Sequence, residues 1–178
     1  MHQDLDKILI TTDELEKIVS DLADKINKDY ENEEVLLAII LKGSMIFASD
    51  LARKLTIPVS FDFIKASSYG KGTQSTGELN VKLDLESDIS GKNVIIVEDI
   101  IDSGNTLYKL KGYLNERNPK SLKICTLLDK PDRRETTVTV EYSGTVIPDE
   151  FVVGYGLDYA EKYRELPYIG ILSRSVYE

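Results

Sequence analysis

The stretch from residue 94 to residue 107 constrains the fold of this chain more than any other. An apolar, mostly β-branched run at residues 94–97 ends at two adjacent carboxylates, Glu98 and Asp99. A fully apolar run of this kind predicts a buried parallel strand, because helices cover such strands on both faces. We therefore expect an α/β architecture in which the two acids mark the end of a central strand.

A third acid and a small, hydroxylated turn follow this strand and lead into a predicted helix. The turn contains Asp102, Ser103, Gly104 and Thr106. Backbone N–H groups and the positive end of the helix dipole bind anions at such a turn, most often phosphate. Since the acids cannot bind that phosphate, they must hold hydroxyls or a metal ion on the same ligand. The pattern predicts a phosphorylated sugar as ligand, and the chain contains no P-loop signature.

Strands alternate with helices along the rest of the chain. Strands are predicted at residues 35–41, 58–64, 94–97, 121–128, 137–142 and 151–153. Helices are predicted to begin at Thr12, to span about residues 42–55, and to follow the strand at 94–97 as far as about residue 116. The basis is apolar residues at helical spacing and turns that open helices. This order predicts a doubly wound, mostly parallel sheet flanked by helices, in a single domain over residues 1–178.

Composition limits the partners and the compartment. The net charge of −9 over 178 residues argues against a nucleic-acid partner, which would need a basic stripe. The apolar runs are too short to span a membrane, and we expect no signal peptide. The one cysteine, Cys125, lies in an apolar run, so we expect a buried structural thiol and a cytoplasmic protein.

Residues 98–107 resemble the phosphoribosyl pyrophosphate (PRPP) binding motif of the type I phosphoribosyltransferases. Four further segments narrow this resemblance to the hypoxanthine-guanine phosphoribosyltransferases. These segments are residues 41–43, 67–70 together with 75–77, 128–131 and 151–159. The motifs follow the family's order from about residue 5 to the C-terminus without large insertions.

The resemblance implies a fold, a reaction and several partners. The fold is a mostly parallel sheet flanked by helices, with a small hood formed by the chain termini. The reaction joins hypoxanthine or guanine to PRPP and gives IMP or GMP plus pyrophosphate, with Mg²⁺ as the cofactor. A homodimer or homotetramer is expected. A further expected ligand is the bacterial alarmone guanosine tetraphosphate, as an inhibitor competing with PRPP.

The resemblance also assigns roles on the PRPP side of the site. Asp102 is the expected general base. The 5′-phosphate loop comprises Asp102, Ser103, Gly104, Asn105 and Thr106. Glu98 and Asp99 are expected to hold the ribose hydroxyls, and the expected metal ligands are Glu98, Asp99 and Asp158. Pyrophosphate is expected to bind Lys42, Gly43 and Arg164, with a cis peptide bond before the lysine.

On the purine side, the resemblance implies a 6-oxopurine slot and a lid. Lys130 is expected to bind the purine O6 atom, and Phe151 is expected to stack on the base. The backbone of Val152 and the region of Asp158 complete the slot. Ser68 and Tyr69 are expected to belong to an active-site lid at about residues 65–80.

Two alternatives remain open from the sequence alone. A PRPP-sensing regulator that binds RNA or DNA would share the motif at residues 98–106, but it should carry a basic face or an added DNA-binding domain. A transferase acting on another purine is the second alternative. Lys130, Phe151 and Asp158 argue against adenine, whereas xanthine is less cleanly excluded. The sequence does not set the preference between hypoxanthine and guanine.

Overall fold

The computed structural model describes residues 1–67 and 79–178. Its strands are β1 (Leu5–Ile10), β2 (Val35–Ile40), β3 (Val59–Ser67), β4 (Asn80–Leu83), β5 (Asn93–Ile101), β6 (Ser121–Asp129), β7 (Tyr142–Val146), β8 (Val152–Val153) and β9 (Ile169–Leu172). Its α-helices are α1 (Thr12–Asp29), α2 (Met45–Lys54), α3 (Asn105–Asn115) and α4 (Arg174–Tyr177).

A six-stranded sheet in the order β4-β3-β2-β5-β6-β7 forms the centre of the molecule. Its neighbours from β3 to β7 are parallel, and only β4 is antiparallel, at one edge. Alternate residues of β2 point into two separate apolar clusters, so that Leu37 packs with α1 and α2, and Leu36 with α3. Helices therefore cover both faces, which confirms the predicted doubly wound α/β fold.

A second, three-stranded antiparallel sheet in the order β1-β9-β8 brings the two ends of the chain together. Leu5 pairs with Leu172 and Val152 pairs with Ile171. Hereafter these three strands and the short helix α4 are called the hood. Its position at the termini confirms the expectation drawn from the family resemblance.

The central strand β5 is longer than predicted. It runs through Glu98 and Asp99 to Ile101, whereas the sequence suggested that it would stop at the acids. The reason is one-sided pairing. The pairing of β5 with β2 ends at Val97, while its pairing with β6 continues to Ile101. At the two acids, β5 is therefore paired only with β6. This leaves a gap beside them at the carboxyl end of the sheet.

Two other predicted strands differ from the structure. The strand predicted at residues 137–142 is wrong, because residues 137–140 have no regular structure and the strand begins at Tyr142. Thr136 instead bonds the loop before α3, where its N–H donates to the Ser103 carbonyl at 3.0 Å. The predicted strand at 151–153 exists as β8, but it belongs to the hood.

The helical predictions and the thiol prediction are confirmed. Thr11 caps α1, and Glu14 completes a capping box by accepting from the Thr11 N–H at 2.8 Å. Cys125 is buried, and this burial raises the pKa of its thiol. Within the described ranges, no helix has the length and apolar character needed to cross a bilayer.

Candidate active site

A cavity of about 380 Å³ lies at the carboxyl ends of β2 and β5. Ten of the predicted site residues line it: Lys42, Gly43, Glu98, Asp99, Asp102, Ser103, Gly104, Thr106, Asp158 and Arg164. They come from three separate parts of the chain. Parallel strands bring their carboxyl ends to the same edge of a sheet, which is where ligands bind in this architecture.

The predicted pyrophosphate residues surround the turn after β2. The Leu41–Lys42 peptide bond is cis, as the resemblance implied. Gly43 lies so close to the acids of β5 that a Cβ atom at this position would stand 1.6 Å from Asp99 Oδ2. Any larger residue at this position would therefore force either the turn or the carboxylate of Asp99 to move.

Arg164 and Lys42 are held by acids of one loop. Arg164 donates to the Gly156 carbonyl at 2.7 Å and lies 2.9 Å from Asp158 Oδ1. Lys42 Nζ lies 2.9 Å from Glu161 Oε2, and the same carboxylate is 3.4 Å from Arg164. The Nε atom of Arg164 is buried and finds no hydrogen-bond partner among the described residues, so a donor remains for an anion.

Glu98 and Asp99 form a pair of half-buried carboxylates in the cavity wall. Loss of contact with water and the neighbouring charge of Asp99 raise the pKa of Glu98 well above its usual range. Burial also raises the pKa of Asp99. Two acids held together in this way favour a bound cation or hydroxyl donors, because either would relieve their repulsion and desolvation.

The loop before α3 has the geometry of an anion cradle. Gly104 is the N-cap residue of α3 with φ +84°, and it contributes no side-chain cap. A Cβ atom there would lie 2.6 Å from the Thr136 carbonyl, so glycine is needed for both conformation and space. Asn105 does not line the cavity; its amide donates to Glu135 at 2.7 Å and supports the loop from outside.

Asp102 lies at the start of this loop, with its carboxylate exposed toward the purine side. Arg133 Nε is 3.2 Å from Asp102 Oδ1, and Arg133 also reaches Asp149 at 3.4 Å. Asp149 in turn lies 4.0 Å from Lys130 Nζ. A chain of alternating charges thus joins the PRPP side of the site to the predicted purine residues.

Of the predicted purine residues, Asp158 lines the cavity, whereas Lys130, Phe151 and Val152 lie outside it and close to one another. Lys130 is only 9% exposed and donates to the Glu150 carbonyl at 2.6 Å, next to Phe151. Burial lowers the pKa of Lys130, and the charges of Asp102 and Asp149 oppose this shift. Phe151 is 38% exposed, which is high for an aromatic ring, and Val152 is buried in β8.

The predicted metal ligands Glu98, Asp99 and Asp158 line the same cavity. No three acidic, histidine or cysteine side chains among the described residues converge as a preformed metal site. Mg²⁺ commonly takes one or two protein carboxylates and completes its shell with waters and substrate phosphates. The Glu98–Asp99 pair fits that requirement, since it places two adjacent carboxylates in the lining of the cavity.

The predicted lid lies almost entirely outside the described residues, and this includes Ser68 and Tyr69. Its two ends are described. Ser67 pairs with Asn80 in the antiparallel ladder of β3 and β4. Residues 65–67, at the start of the predicted lid, belong to β3.

Sequence reasoning missed two charged residues of the site, Arg133 and Glu161. The adjacent arginines after Lys130 and Pro131 were a usable signal for Arg133, since they follow a strand that ends at the site. Glu161 gave no such signal, because its partner Lys42 lies 119 positions away.

Comparison with known proteins identifies the family. The model of the phosphoribosyl transferase domain matches residues 9–160. A hypoxanthine phosphoribosyltransferase of Buchnera aphidicola is 52% identical over 92% of this chain and 94% of its own. A hypoxanthine-guanine phosphoribosyltransferase of Staphylococcus aureus is 48% identical, with 99% of both chains covered.

Solved structures agree with these relatives. A hypoxanthine phosphoribosyltransferase from Staphylococcus aureus matches with a TM-score of 0.95 at 47% identity, covering 100% of this chain and 97% of that one. A hypoxanthine-guanine phosphoribosyltransferase from Bacillus anthracis matches with a TM-score of 0.90 at 51% identity, covering 94% and 99%. All four relatives are transferases by name, which favours an enzyme over the regulator considered above. The chain belongs to the hypoxanthine-guanine phosphoribosyltransferase family.

Proposed function

We propose that the protein transfers the phosphoribosyl group of PRPP to N9 of hypoxanthine or guanine. The C1′–O bond to pyrophosphate breaks, the C1′–N9 bond forms, and the purine loses one proton. The observation that carries this proposal is the single cavity in which the cations Lys42 and Arg164 face the acids of β5 and the anion cradle of α3. The reaction passes through an oxocarbenium-like transition state, which needs all three groups: the cations, the acids and the anion cradle.

Each group has a distinct part in the reaction. Lys42 and Arg164 stabilise the negative charge that develops on departing pyrophosphate. The loop at residues 103–106 fixes the 5′-phosphate, and Glu98 and Asp99 hold the ribose hydroxyls. Asp102 accepts the proton from purine N7 as N9 attacks, since its carboxylate is exposed on the purine side. Ser68 and Tyr69 would cover the site.

We also propose Mg²⁺ as the cofactor, held by Glu98 and Asp99 with Asp158 as a further oxygen donor. When bound, the ion would neutralise phosphate charge and help to fix the ribose. The acids can supply the oxygen ligands that the ion needs, because Glu98 and Asp99 are adjacent on β5 and line the same cavity as Asp158.

The direct test is an assay of PRPP-dependent nucleotide formation with hypoxanthine, guanine, xanthine and adenine. We expect IMP and GMP formation that stops when Mg²⁺ is chelated and resumes when it is restored. Xanthine as the best substrate would favour the alternative transferase. No turnover with any purine, together with PRPP-sensitive RNA or DNA binding, would favour the regulator.

Lys130→Ala is expected to raise the Michaelis constant for both 6-oxopurines by about 10- to 100-fold. The reason is the loss of a charge-assisted hydrogen bond, which contributes roughly 1.5–3 kcal/mol. The Michaelis constant for PRPP should not change. Lys92→Ala is the matched control, since Lys92 is exposed at the opposite end of β5. Equal purine constants in the wild type and Lys130→Ala would place Lys130 outside the slot.

Guanosine tetraphosphate is proposed to inhibit by occupying the nucleotide site. Its guanine would enter the slot of Lys130 and Phe151, and its phosphates would reach the anion cradle and the pocket of Lys42 and Arg164. We expect inhibition competitive with PRPP, measured as initial rates against PRPP at several alarmone concentrations. A fall in maximal rate at an unchanged PRPP Michaelis constant would contradict shared occupancy.

Assembly as a homodimer or homotetramer and a cytoplasmic location stay predictions.

A further inference from the structure

The ring of Phe151 is contacted by two tyrosines of the C-terminal part of the chain. Tyr177 stacks on it, with ring centroids 5.1 Å apart and an interplanar angle of 29°. Tyr159 meets it edge-on, at 5.6 Å and 89°. Tyr177 is the last residue of α4 and the penultimate residue of the chain. The function proposed above gives no role to it.

Tyr177 approaches Phe151 from the hood, and Tyr159 approaches it from the segment between β8 and β9. They pack against the small apolar cluster of Leu5, Val153, Tyr163 and Leu172, which joins the two ends of the chain. Tyr177 therefore covers one face of the Phe151 ring. Phe151 nevertheless stays 38% exposed, and Lys130 reaches the adjacent carbonyl of Glu150.

The hood also fixes the position of Tyr177. The N–H of Ser173 donates to the Asp4 carbonyl at 2.9 Å, which ties the start of α4 to the N-terminal segment. Within the turn, the N–H of Val176 donates to the Ser173 carbonyl at 3.0 Å. The Leu172 N–H donates to the Phe151 carbonyl at 2.8 Å, so the position of Tyr177 depends on the backbone of Phe151 but not on its side chain.

We propose that Tyr177 is a positioning residue for the purine. It stacks on the hood side of Phe151 and fixes the plane of that ring, so that the base stacks on the opposite, exposed face. The ring torsion of phenylalanine has a broad energy minimum, so a neighbouring ring is needed to hold its plane before the base binds. Preorganisation of this kind lowers the entropy lost on binding. The proposal rests on the proposed role of Phe151.

The test compares Tyr177→Ala with Tyr177→Phe in steady-state kinetics. Tyr177→Ala should raise the Michaelis constants for hypoxanthine and guanine by about 3- to 10-fold, while kcat and the PRPP constant stay unchanged. Tyr177→Phe should behave as the wild type, because it keeps the ring. Tyr108→Ala is the matched control, since Tyr108 is an exposed tyrosine on α3. Thermal unfolding of each variant shows whether the hood remains folded.

Phe151→Ala separates this proposal from the proposed function. If Phe151 stacks on the base, Phe151→Ala raises the purine constants, and adding Tyr177→Ala has no further effect. An effect of Phe151→Ala without one of Tyr177→Ala would overturn the role of Tyr177 alone. No effect of Phe151→Ala would overturn the proposed stacking itself. A lower purine constant in Tyr177→Ala would mean that Tyr177 occupies the face used by the base, which also overturns the proposal.

Discussion

Asp102→Asn is expected to lower kcat by roughly 10²- to 10⁴-fold, the range contributed by general base catalysis. Asparagine keeps the shape of the side chain but cannot accept the purine proton. The variant should fold and should bind PRPP with Mg²⁺, because the anion cradle depends on the backbone of Ser103 and Gly104. Single-turnover rates and PRPP binding, measured on the same preparation, check both parts.

Arg133→Gln is the control for this substitution. Asp102→Asn also removes the ion pair with Arg133, which is partly exposed and should contribute little to stability. Arg133→Gln breaks the same pair and leaves the carboxylate in place, so most of the turnover should remain. An equal loss in both variants would mean that the ion pair, rather than proton transfer, is what the reaction requires. Near-normal turnover in Asp102→Asn would make Asp102 a turn residue only.

The elements that sequence reasoning predicted well are those determined by neighbouring residues. Strand β2 is buried at all six positions, and this burial explains why its residues are all apolar. Helix α1 has both a capping box and a buried stripe, and each is visible in the sequence. Because strands and helices alternate, the strands pair in parallel. Parallel pairing brings the carboxyl ends of the strands together at the cavity.

Apart from β8, which was predicted as a strand, the hood could not be predicted from such patterns. Strand β8 has two residues, and β9 has four, so neither shows a period. Strand β1 is buried only at its two ends, because its middle faces solvent. What makes these segments strands is pairing between Leu5 and Leu172, which lie at opposite ends of the chain. The family resemblance predicted the hood where residue patterns did not.

The same distinction applies to the site. Asp102 was identified because it follows a strand, which is a local signal, whereas the role of Lys42 came from the family resemblance. Glu161 lies on a turn and Tyr177 ends helix α4, both near the C-terminus. Their contacts with Lys42 and Phe151 depend on how the C-terminal part of the chain packs against the rest of the fold. The extension of β5 through Glu98 was also missed, since it depends on where the neighbouring strand β2 ends.

Gly43→Ala is expected to lower kcat/KM by about 100-fold or more, because catalysis falls this steeply when reacting groups move by about 1 Å. A Cβ atom at position 43 would lie 1.6 Å from Asp99 Oδ2 and 2.8 Å from its Cγ, so either the turn or the carboxylate must move. Movement of the turn displaces Lys42, and movement of the carboxylate disturbs the proposed ribose and metal site. Both outcomes reduce PRPP turnover while the rest of the sheet stays intact.

Gly112→Ala is the matched control, since it makes the same chemical change where there is space. Gly112 lies inside α3, and no atom comes within 4 Å of a Cβ built there. Alanine should raise the free energy of unfolding by roughly 0.4–1 kcal/mol at such a position and leave activity unchanged. Thermal unfolding and kcat/KM of the two variants separate a local steric effect from a general loss of stability. Wild-type kcat/KM in Gly43→Ala would show that the turn and Asp99 separate without consequence, and the expected steric effect on catalysis would then be wrong.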